Sequence, residues 1–472
     1  MFNKILILCL INLVFQSNVY SQKNGEFLPI GHNQWQFDNY GNFGNLDVDI
    51  DIIDAWQLTT GGKNGLGHDI VIAVLDRGVL LNHQGLKGNI WVNKEEIPNN
   101  NLDDDHNGYI DDIHGWNFNL ATNDVGLNNL GHPHGTPING IIGANAYNEE
   151  GVSGINKSVK ILNLVRGKDT TSIFRAYDYL IELRSRFNES NGEKGAFIVA
   201  VNQSWGLDSA TVKDNNTWCE KLNELGSVGI IAVSAAPNEN VDLDIVNDMP
   251  IDCRSEYQIS VTNINYEDNK IFHAGYGTES VDIAAPGHNT YTTKNNGSYG
   301  YFSGSSAAAP YLTGTIGLIY SIPSRKLAID AISNPSATAL IIKSAILENA
   351  VLVDENYNLK KLNVLNSMKA ICYLYNEFEL LDVFNNSWNL VRLYPNPYED
   401  EVAVSIESNK INVPLKISIL SSNGILVKER FEVIPAKGYH TININTFSLS
   451  SGFYILKIES ENFIETLHTR KY

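Results

Sequence analysis

The sequence is poor in cysteine and in basic residues. Of its 472 residues only 4 are Cys, and the absence of any CxxC pair excludes a zinc ribbon. Lys and Arg number 34 against 53 Asp and Glu, which gives a formal net charge of −19 at pH 7. A surface of that sign repels phosphate backbones, so we expect no nucleic-acid partner. Beyond the N-terminal residues no apolar run is long enough to cross a bilayer, so we expect no transmembrane segment.

Apolar residues are nevertheless plentiful, at 43% of the chain against 18% charged residues. This composition provides enough apolar material for packed cores and argues against a largely disordered chain. A length of 472 residues exceeds what one domain usually needs, so we expect two folded units.

The first 21 residues have the layout of a secretory signal peptide. Lys4 precedes an apolar stretch over residues 5–15, which is too short to span a membrane but typical of a signal-peptide core. Val19 and Ser21 would occupy positions −3 and −1 of a cut after Ser21. The alternative is a buried N-terminal strand or helix. We expect residues 1–21 to be removed and the mature chain to be exported.

Three cysteines remain after that cut, Cys219, Cys253 and Cys372. Three is an odd number, so at least one thiol is free or pairs between chains. A bridge between Cys219 and Cys253 is favoured because both flank the same predicted segment, although the sequence alone cannot fix the connectivity.

Residues 51–383 are predicted to form an α/β domain, preceded by a short extension over 22–50. Short continuous apolar runs are typical of strands buried on both faces, and they occur at 69–75, 160–165, 197–203, 229–235 and 257–262. Stretches of helical period lie between them, for example 171–187. Alternating strands and helices predict a parallel sheet covered on both faces.

The pattern of apolar and polar residues changes after a predicted linker at 384–391. Residues 392–472 contain apolar and polar residues in alternation, with a tight-turn sequence Ser-Asn-Gly at 422–424. This pattern predicts a small antiparallel β-sandwich domain of about 80 residues.

Three short segments of the first domain each bring a reactive side chain to the edge of the predicted sheet. Asp76 ends an apolar strand, and open α/β sheets build their sites at the carboxyl ends of parallel strands. His134 precedes a Gly-Thr pair at a predicted helix start, where a neutral histidine can act as a general base. Ser306 leads into an apolar helix, whose dipole and backbone N–H groups favour an oxyanion.

Each segment alone has a simpler interpretation. Asp76 could cap the next turn, His134 could be an exposed loop residue or half of an adventitious metal pair with His132, and Ser306 could lie on an ordinary packing helix. The order Asp, His, Ser is, however, the order found in subtilisin. The three segments together are therefore far more specific than any one of them.

On these segments the chain resembles the subtilisin-like serine proteases, over about residues 51–376. The Asp76 segment, the His-Gly-Thr of His134 and the Gly-Ser-Ser-Ala-Ala-Ala-Pro around Ser306 each match a family signature. Residues 284–287, Ala-Ala-Pro-Gly, match a further landmark.

Two more segments extend the resemblance to the binding of substrate. Residues 231–239 are similar to the family's oxyanion segment, which would make Asn238 a side-chain donor. Residues 202–206 are similar to the strand that lines the substrate cleft, and the predicted substrate-binding residues are Ser204, Trp205 and Gly206.

The resemblance implies a serine endopeptidase that cleaves extracellular proteins or peptides through an acyl-enzyme. Ser306 would attack the scissile carbonyl, His134 would take its proton, and Asp76 would fix the histidine tautomer. Asn238 and the backbone N–H of Ser306 would hold the oxyanion. We expect a monomer.

The chain departs from the family pattern at four positions, Arg77, Pro137, Ala307 and Pro237. Arg77 would favour the ionised form of the neighbouring aspartate, and a proline is tolerated in a first helical turn. Pro237 replaces a glycine directly before Asn238, and its fixed φ of about −65° would displace Asn238 if that glycine needs a positive φ. The alternative function is therefore a catalytically impaired subtilase fold that serves as a surface binding module.

An acidic loop between the Asp and His segments has the spacing of a calcium ligand set. The pattern Asp-x-Asp-x-Asn-Gly puts oxygen atoms on one tight loop, and clustered carboxylates repel one another unless a cation lies among them. The alternative is a solvated acidic loop. The predicted ligands of a structural Ca²⁺ ion are Asp103, Asp105, Asn107, a backbone carbonyl near Tyr109, and Asp111 or Asp112.

Residues 392–472 resemble the C-terminal sorting domain of the type IX secretion system. They contain Leu-Tyr-Pro-Asn-Pro at 393–397 and an apolar strand after the Ser-Gly pair at 451–452. The resemblance implies export across the outer membrane, with the product released or attached at the cell surface, and the type IX machinery as a partner. The alternative is a β-sandwich that binds sugar or packs on the protease.

Overall fold

The computed structural model describes residues 20–23, 26–29, 33–39, 43–45, 48–126, 134–145, 152–208, 210–384, 388–394, 398–408, 412–436, 438–460 and 463–472. Most of the predicted signal peptide lies outside these residues, and its removal stays a prediction. The first elements described are β1 (Tyr20–Lys23), β2 (Glu26–Pro29), which pairs antiparallel with β1, and the short helix α1 (Ile52–Ala55).

The strands of the first domain are short and mostly buried. They are β3 (Val71–Asp76), β4 (Lys160–Val165), β5 (Ile198–Gln203), β6 (Leu207–Asp208), β7 (Ile231–Ala235), β8 (Asp248–Met249), β9 (Gln258–Ile264), β10 (Ile283–Pro286), β11 (Thr290–Thr293), β12 (Tyr299–Phe302), β13 (Val351–Asp354) and β14 (Leu359–Lys361).

The helices that connect and cover these strands are α2 (Gly135–Gly143), α3 (Thr170–Glu189), α4 (Asn216–Ser227), α5 (Ser305–Tyr320), α6 (Arg325–Ser333), α7 (Pro335–Glu348) and α8 (Val364–Leu374). Short 3₁₀ turns lie at Val212–Asp214, Ile251–Cys253 and Phe378–Phe384. The predicted helix at 171–187 is confirmed as α3, which begins where the Asp169 carboxylate accepts the Ser172 N–H at 2.8 Å.

A central eight-stranded sheet has the order β13-β14-β10-β9-β7-β5-β3-β4. All its neighbouring pairs are parallel except β13 and β14, which run antiparallel. The five predicted strand runs correspond to β3, β4, β5, β7 and β9, with ends shifted by at most two residues. The predicted parallel sheet is therefore confirmed.

Two hydrophobic cores lie on opposite faces of this sheet, and β3 shows how the sequence supplies both. Ile72 and Val74 pack into one core, whereas Val71, Ala73 and Leu75 pack into the other. Because side chains alternate across a strand, a continuous apolar run is what a strand between two cores needs. Its last residue, Asp76, is the first that brings a charge to the carboxyl edge of the sheet.

Helix α5 crosses the first of these cores, and all its residues are buried. It packs against α2 and against β5, β7, β9 and β10. Small residues allow this close approach: a Cβ on Gly314 would lie 2.7 Å from Ile155 Cβ. The N-terminus of α5 is thereby held at the edge of the sheet where Asp76 ends β3.

The predicted bridge between Cys219 and Cys253 is present, with Cα atoms 5.1 Å apart. It links α4 to the 3₁₀ turn that follows β8. Cys372 is buried and lies outside this bridge, and burial raises the pKa of its thiol to about 12. None of the described helices has both the length and the apolar character that a membrane crossing requires.

The C-terminal domain is an antiparallel sandwich, as predicted. Its sheets have the orders β15-β16-β19 and β18-β17-β20-β21, and their inner faces form one hydrophobic core. The linker predicted at 384–391 is too long at its C-terminal end, because residues 388–391 belong to the first strand of this domain and pair with the next one. The strands are β15 (Trp388–Tyr394), β16 (Glu401–Ser408), β17 (Val413–Ser421), β18 (Leu426–Ile434), β19 (Gly438–Asn445), β20 (Gly452–Ser460) and β21 (Phe463–Lys471).

Candidate active site

Asp76 and His134 are hydrogen-bonded at the carboxyl edge of the sheet. His134 Nδ1 lies 3.0 Å from Asp76 Oδ1 and 2.9 Å from Oδ2. The aspartate side chain is only 3% exposed, whereas that of the histidine is 30% exposed. Asp76 Oδ1 also accepts the Arg77 N–H at 2.7 Å. The buried carboxylate is thus an acceptor for a proton on Nδ1, which leaves Nε2 as the basic nitrogen of the ring.

The sequence around His134 explains why it meets Asp76. His134 is the N-cap of α2, and the next residue, Gly135, lies against the end of β3: a Cβ there would be 2.5 Å from Gly78 O and 3.5 Å from Asp76 Cβ. Thr136 then fixes the entry to the helix, because its Oγ1 accepts the Leu80 N–H at 2.9 Å. In the His-Gly-Thr sequence, the histidine thus supplies the ring nitrogen, the glycine permits the close approach to β3, and the threonine fixes the start of the helix by a hydrogen bond.

Ser306 is the second residue of α5 and is 8% exposed. Its Oγ donates a hydrogen bond to Ser204 O at 3.2 Å, and Ser204 Oγ donates to Ser306 O at 3.0 Å. No hydrogen bond between Ser306 and His134 is found among the described residues. The helix is preceded by Gly304 at φ 117°, a conformation that favours glycine.

Asn238 lies beside the start of α5. Its Oδ1 accepts the Ser305 N–H at 2.9 Å and the Ser305 hydroxyl at 3.2 Å, and the same hydroxyl donates to Ala236 O. Because the carboxamide oxygen is engaged in this way, Nδ2 is the group that can donate to an anion beside Ser306.

Pro237 does not carry the positive φ that a replaced glycine could have required. Its carbonyl accepts the Gly275 N–H at 2.9 Å. A Cβ on Gly275 would lie 3.1 Å from the proline Cδ, so the ring rests on a glycine. With Pro237 in place, Asn238 and Ser306 line the same pocket.

The three predicted substrate-binding residues follow β5 and line this pocket with Ser306. Trp205 is half-buried, and its indole N–H donates to Leu75 O at 2.6 Å. The Arg166 guanidinium lies 4.4 Å from the centre of the Trp205 ring, a cation–π contact that holds the indole in place. Burial lowers the pKa of Arg166, while the nearby Asp76 carboxylate raises it.

Sequence reasoning missed several residues of this region. Phe302 packs edge-on against the His134 ring, with centroids 5.4 Å apart. Arg166 follows directly after β4, so its place at the carboxyl end of a parallel strand was the signal available. Asp248 and Glu239 also line the pocket. Of these two, only Glu239, the neighbour of Asn238, could have been inferred from the sequence.

The acidic loop brings some of its predicted ligands together. Oxygen atoms of Asp105 and Asp112 lie with one of Glu96 within 4.8 Å of one another, a set able to hold a metal ion. Asn107 Nδ2 donates to Asp105 Oδ2 at 3.2 Å and to Asp112 Oδ2 at 2.9 Å. Glu96 was missed, although a Glu-Glu pair shortly before the loop was visible in the sequence.

The other predicted ligands have different partners. Asp103 accepts the N–H groups of Asn107 and Gly108, at 3.1 and 2.9 Å. Asp111 accepts those of residues 100 and 101, at 3.2 and 2.9 Å. The Tyr109 ring packs edge-on against Trp116, Phe118 and Tyr179. Asp103 and Asp111 therefore brace the backbone of the loop.

The charge balance of this cluster fits a cation. Burial raises the pKa of Asp112 to about 6, despite hydrogen bonds from Tyr179, Asn93 and Asn107 that lower it. Arg186 lies 3.5 Å from Asp105 and also contacts Glu95, so it supplies only part of the compensating charge. A divalent cation would stabilise all three carboxylates in their ionised form.

Comparisons with known proteins match two parts of the chain. The sequence profile of the subtilase family matches residues 67–370, and that of a secretion system C-terminal sorting domain matches residues 392–469. A similar solved structure, titled as proteases from Pseudoalteromonas arctica PAMC 21717, covers 72% of this chain and 98% of its own, with 24% identity and a TM-score of 0.51.

Two relatives are similar in sequence over the first domain. Subtilisin-like protease 1 of Plasmodium berghei (strain Anka) is 30% identical over 342 residues, which is 65% of this chain and 53% of the relative. An extracellular protease of Xanthomonas campestris pv. campestris is 25% identical over 316 residues, which is 64% of this chain and 50% of the relative. The chain thus spans about half the length of each of these relatives.

Proposed function

The chain belongs to the subtilase family, and we propose that it is a serine endopeptidase that hydrolyses peptide bonds of extracellular proteins through an acyl-enzyme. The sorting domain indicates a protein that is exported and then released or attached at the cell surface, with the type IX secretion machinery as its partner. The single observation that carries the proposal is the hydrogen bond between the buried Asp76 carboxylate and His134 Nδ1. It is found together with a pocket that Ser306 and Asn238 line.

In the proposed reaction His134 acts as the base and Ser306 as the nucleophile. With its Nδ1 proton held by Asp76, the imidazole accepts the Ser306 proton on Nε2 as Oγ attacks the scissile carbonyl. For this step the Ser306 side chain must rotate about its Cα–Cβ bond. The hydrogen bond from Ser306 Oγ to Ser204 O is then replaced by one to His134 Nε2. Such catalytic hydrogen bonds often tighten only when substrate is bound. His134 then gives the proton to the leaving amine, and water releases the acyl group by the reverse steps.

Two donors would stabilise the negative charge that develops on the carbonyl oxygen. Asn238 Nδ2 is one, because Ser305 binds the carboxamide oxygen and so fixes which atom is left to donate. The Ser306 N–H is the other, because it lies in the first turn of α5, whose N-terminal amides lack partners within the helix. Donors arranged in advance cost no reorganisation during the reaction.

The test of this proposal is hydrolysis of a quenched fluorescent peptide of about ten residues with an acetylated N-terminus and an amidated C-terminus. An endopeptidase cleaves this peptide internally and at a rate similar to that for the peptide with free ends. Cleavage only of the peptide with free ends would contradict the endopeptidase assignment. Failure to cleave any peptide of a mixed-sequence set would contradict the proposal that the protein is a peptidase.

We further propose that the Glu96, Asp105 and Asp112 cluster holds a structural Ca²⁺ ion. Carboxylate and carbonyl oxygens are the ligands that this ion prefers, and Asn107 and the loop carbonyls can complete the shell. The ion would hold the loop against α3, where Tyr179 donates to Asp112 at 2.5 Å.

Calcium is expected to raise the thermal unfolding midpoint. Free Ca²⁺ at 100 times its Kd adds about 2.7 kcal/mol to the free energy of unfolding, and a domain of about 330 residues shifts by about 1.5 °C per kcal/mol. The midpoint should therefore rise by about 4 °C between EGTA and excess Ca²⁺, measured by circular dichroism.

The matched variant for this experiment is Glu96→Gln, which removes one carboxylate of the cluster and keeps its size. It should lower the response to calcium, while Mg²⁺ at equal ionic strength should leave the wild-type midpoint nearly unchanged. Equal midpoints in EGTA and in Ca²⁺ for the wild type would rule out the calcium site.

A further inference from the structure

The pocket beside Ser306 has a volume of about 270 Å³ and is built from two facing segments. Residues 204–206 form one wall, and residues 235–239 form the other. Ser306 and Asn238, the nucleophile and oxyanion donor of the proposed function, both line it. In a bound substrate, the carbonyl that Ser306 attacks belongs to the residue directly before the scissile bond. The side chain of that substrate residue therefore enters the pocket.

Asp248 places a buried carboxylate in this pocket. It is 3% exposed and begins β8, which pairs antiparallel with β6 so that Leu207 faces Met249. The same register pairs Asp248 with Asp208, two residues after Gly206. A Cβ on Gly206 would lie 2.6 Å from Asp248 Oδ1 and 3.0 Å from Oδ2, so the carboxylate lies directly against that glycine.

The remaining charges of the pocket have the same sign. Glu239 adds a second carboxylate at the exposed rim. Neither lysine nor arginine is among the described lining residues. The Arg166 guanidinium lies outside this lining and stacks on the ring of Trp205. A cationic side chain of a substrate would therefore meet two acidic side chains and no cationic one among the described lining residues.

We infer that the pocket selects substrates with lysine or arginine directly before the scissile bond, and that Asp248 is the specificity-determining residue. The inference rests on the proposed function and names its substrate class. A buried carboxylate is screened little by salt, so its attraction for a cation is stronger than that of a surface acid. A hydrogen bond to the charged group adds to this attraction. An aromatic or acidic side chain gains neither contribution.

The test compares quenched peptides that differ only in the residue before the scissile bond, with Lys, Arg, Ala, Phe or Glu at that position. For the full-length protein in calcium, kcat/KM should be at least about 10-fold higher for Lys and Arg than for Phe, and lowest for Glu. In Asp248→Asn, which is nearly isosteric, kcat/KM for Lys and Arg should fall by about 100-fold, the value expected for losing a charged hydrogen-bond partner. The Ala peptide should change by less than about 3-fold, because it does not reach the carboxylate.

Glu256→Gln is the matched control, since it removes one exposed acid that does not line the pocket. It should leave the ranking of the peptides unchanged. A second measurement avoids any risk that Asp248→Asn fails to fold: benzamidine, a small aromatic cation, should inhibit the wild type with a Ki at least about 10-fold lower than that of neutral benzamide.

The outcomes separate this inference from the proposed function. Cleavage with Phe or Ala equal to or better than Lys and Arg would overturn the basic specificity and leave the endopeptidase intact. The basic specificity would also be overturned if Asp248→Asn kept the preference for Lys and Arg, or if benzamide inhibited as well as benzamidine. Failure to cleave every peptide, together with failure to react with a fluorophosphonate, would overturn both.

Discussion

Replacing Ser306 by alanine is expected to lower kcat by about 10⁶-fold. The change removes the atom that forms the acyl-enzyme, and no neighbouring hydroxyl can replace it. Ser305 donates to Ala236 O and Asn238 Oδ1, and Ser204 donates to Ser306 O, so both are directed elsewhere. KM should change little, because the pocket walls are retained. The measurement is steady-state hydrolysis of a peptide with Lys before the scissile bond.

Ser303→Ala is the matched control for that variant. It lies three residues before Ser306, is exposed, and accepts the Asn289 N–H at 2.9 Å. Its kcat should stay within about 2-fold of the wild type, because the exposed hydroxyl takes no part in the proposed reaction. If Ser306→Ala kept more than about a hundredth of wild-type kcat, another nucleophile would have to be sought.

Replacing Asp76 by asparagine is expected to lower kcat by about 10⁴-fold through the tautomer of His134. The amide oxygen can still accept the Arg77 N–H, which now binds Asp76 Oδ1 at 2.7 Å. The amide nitrogen would then donate to His134 Nδ1, so the ring proton would move to Nε2. That nitrogen could no longer take the proton of Ser306. The loss should appear in kcat and in the rate of reaction with a fluorophosphonate, with KM nearly unchanged.

Asp69→Asn is the control for this variant, since Asp69 forms exposed ion pairs with Lys63 and Lys94. Exposed pairs contribute about 0–1 kcal/mol to stability, so activity and thermal midpoint should hardly change. Asp76 is a positioning residue in this account. A fall in fluorophosphonate reactivity without a fall in thermal midpoint would separate this role from a purely structural one. Wild-type kcat in Asp76→Asn would contradict it.

Much of the fold was predictable because the sequence repeats one physical signal. A strand between two cores needs a continuous apolar run, and β3, β4, β5, β7 and β9 each have one. The disulfide was predictable because only three cysteines follow the predicted signal peptide and two of them flank one segment. The linker was predicted wrongly at its C-terminal end. Residues 388–391 have no clear alternation, and they become a strand through pairing with β16.

The proposed catalytic residues His134 and Ser306 could be picked out from the sequence because each stands in a motif that its own backbone needs. Gly135 permits the contact with β3, and Gly304 takes the positive φ that starts α5. Glu96 and Asp248 have no such motif. Their positions depend on tertiary contacts: Glu96 accepts the N–H groups of Asp104, Asp105 and Asp111, and Asp248 depends on the pairing of β8 with β6.

The most direct test of the central claim, that Ser306 is an activated nucleophile, is reaction of the purified full-length protein with a fluorophosphonate in calcium. Mass spectrometry of the digested adduct then identifies the modified residue. One adduct is expected, on Ser306, and it should be absent after heat denaturation and absent in Ser306→Ala. Folded, calcium-replete protein that forms no adduct, or forms it on another serine, would contradict the account.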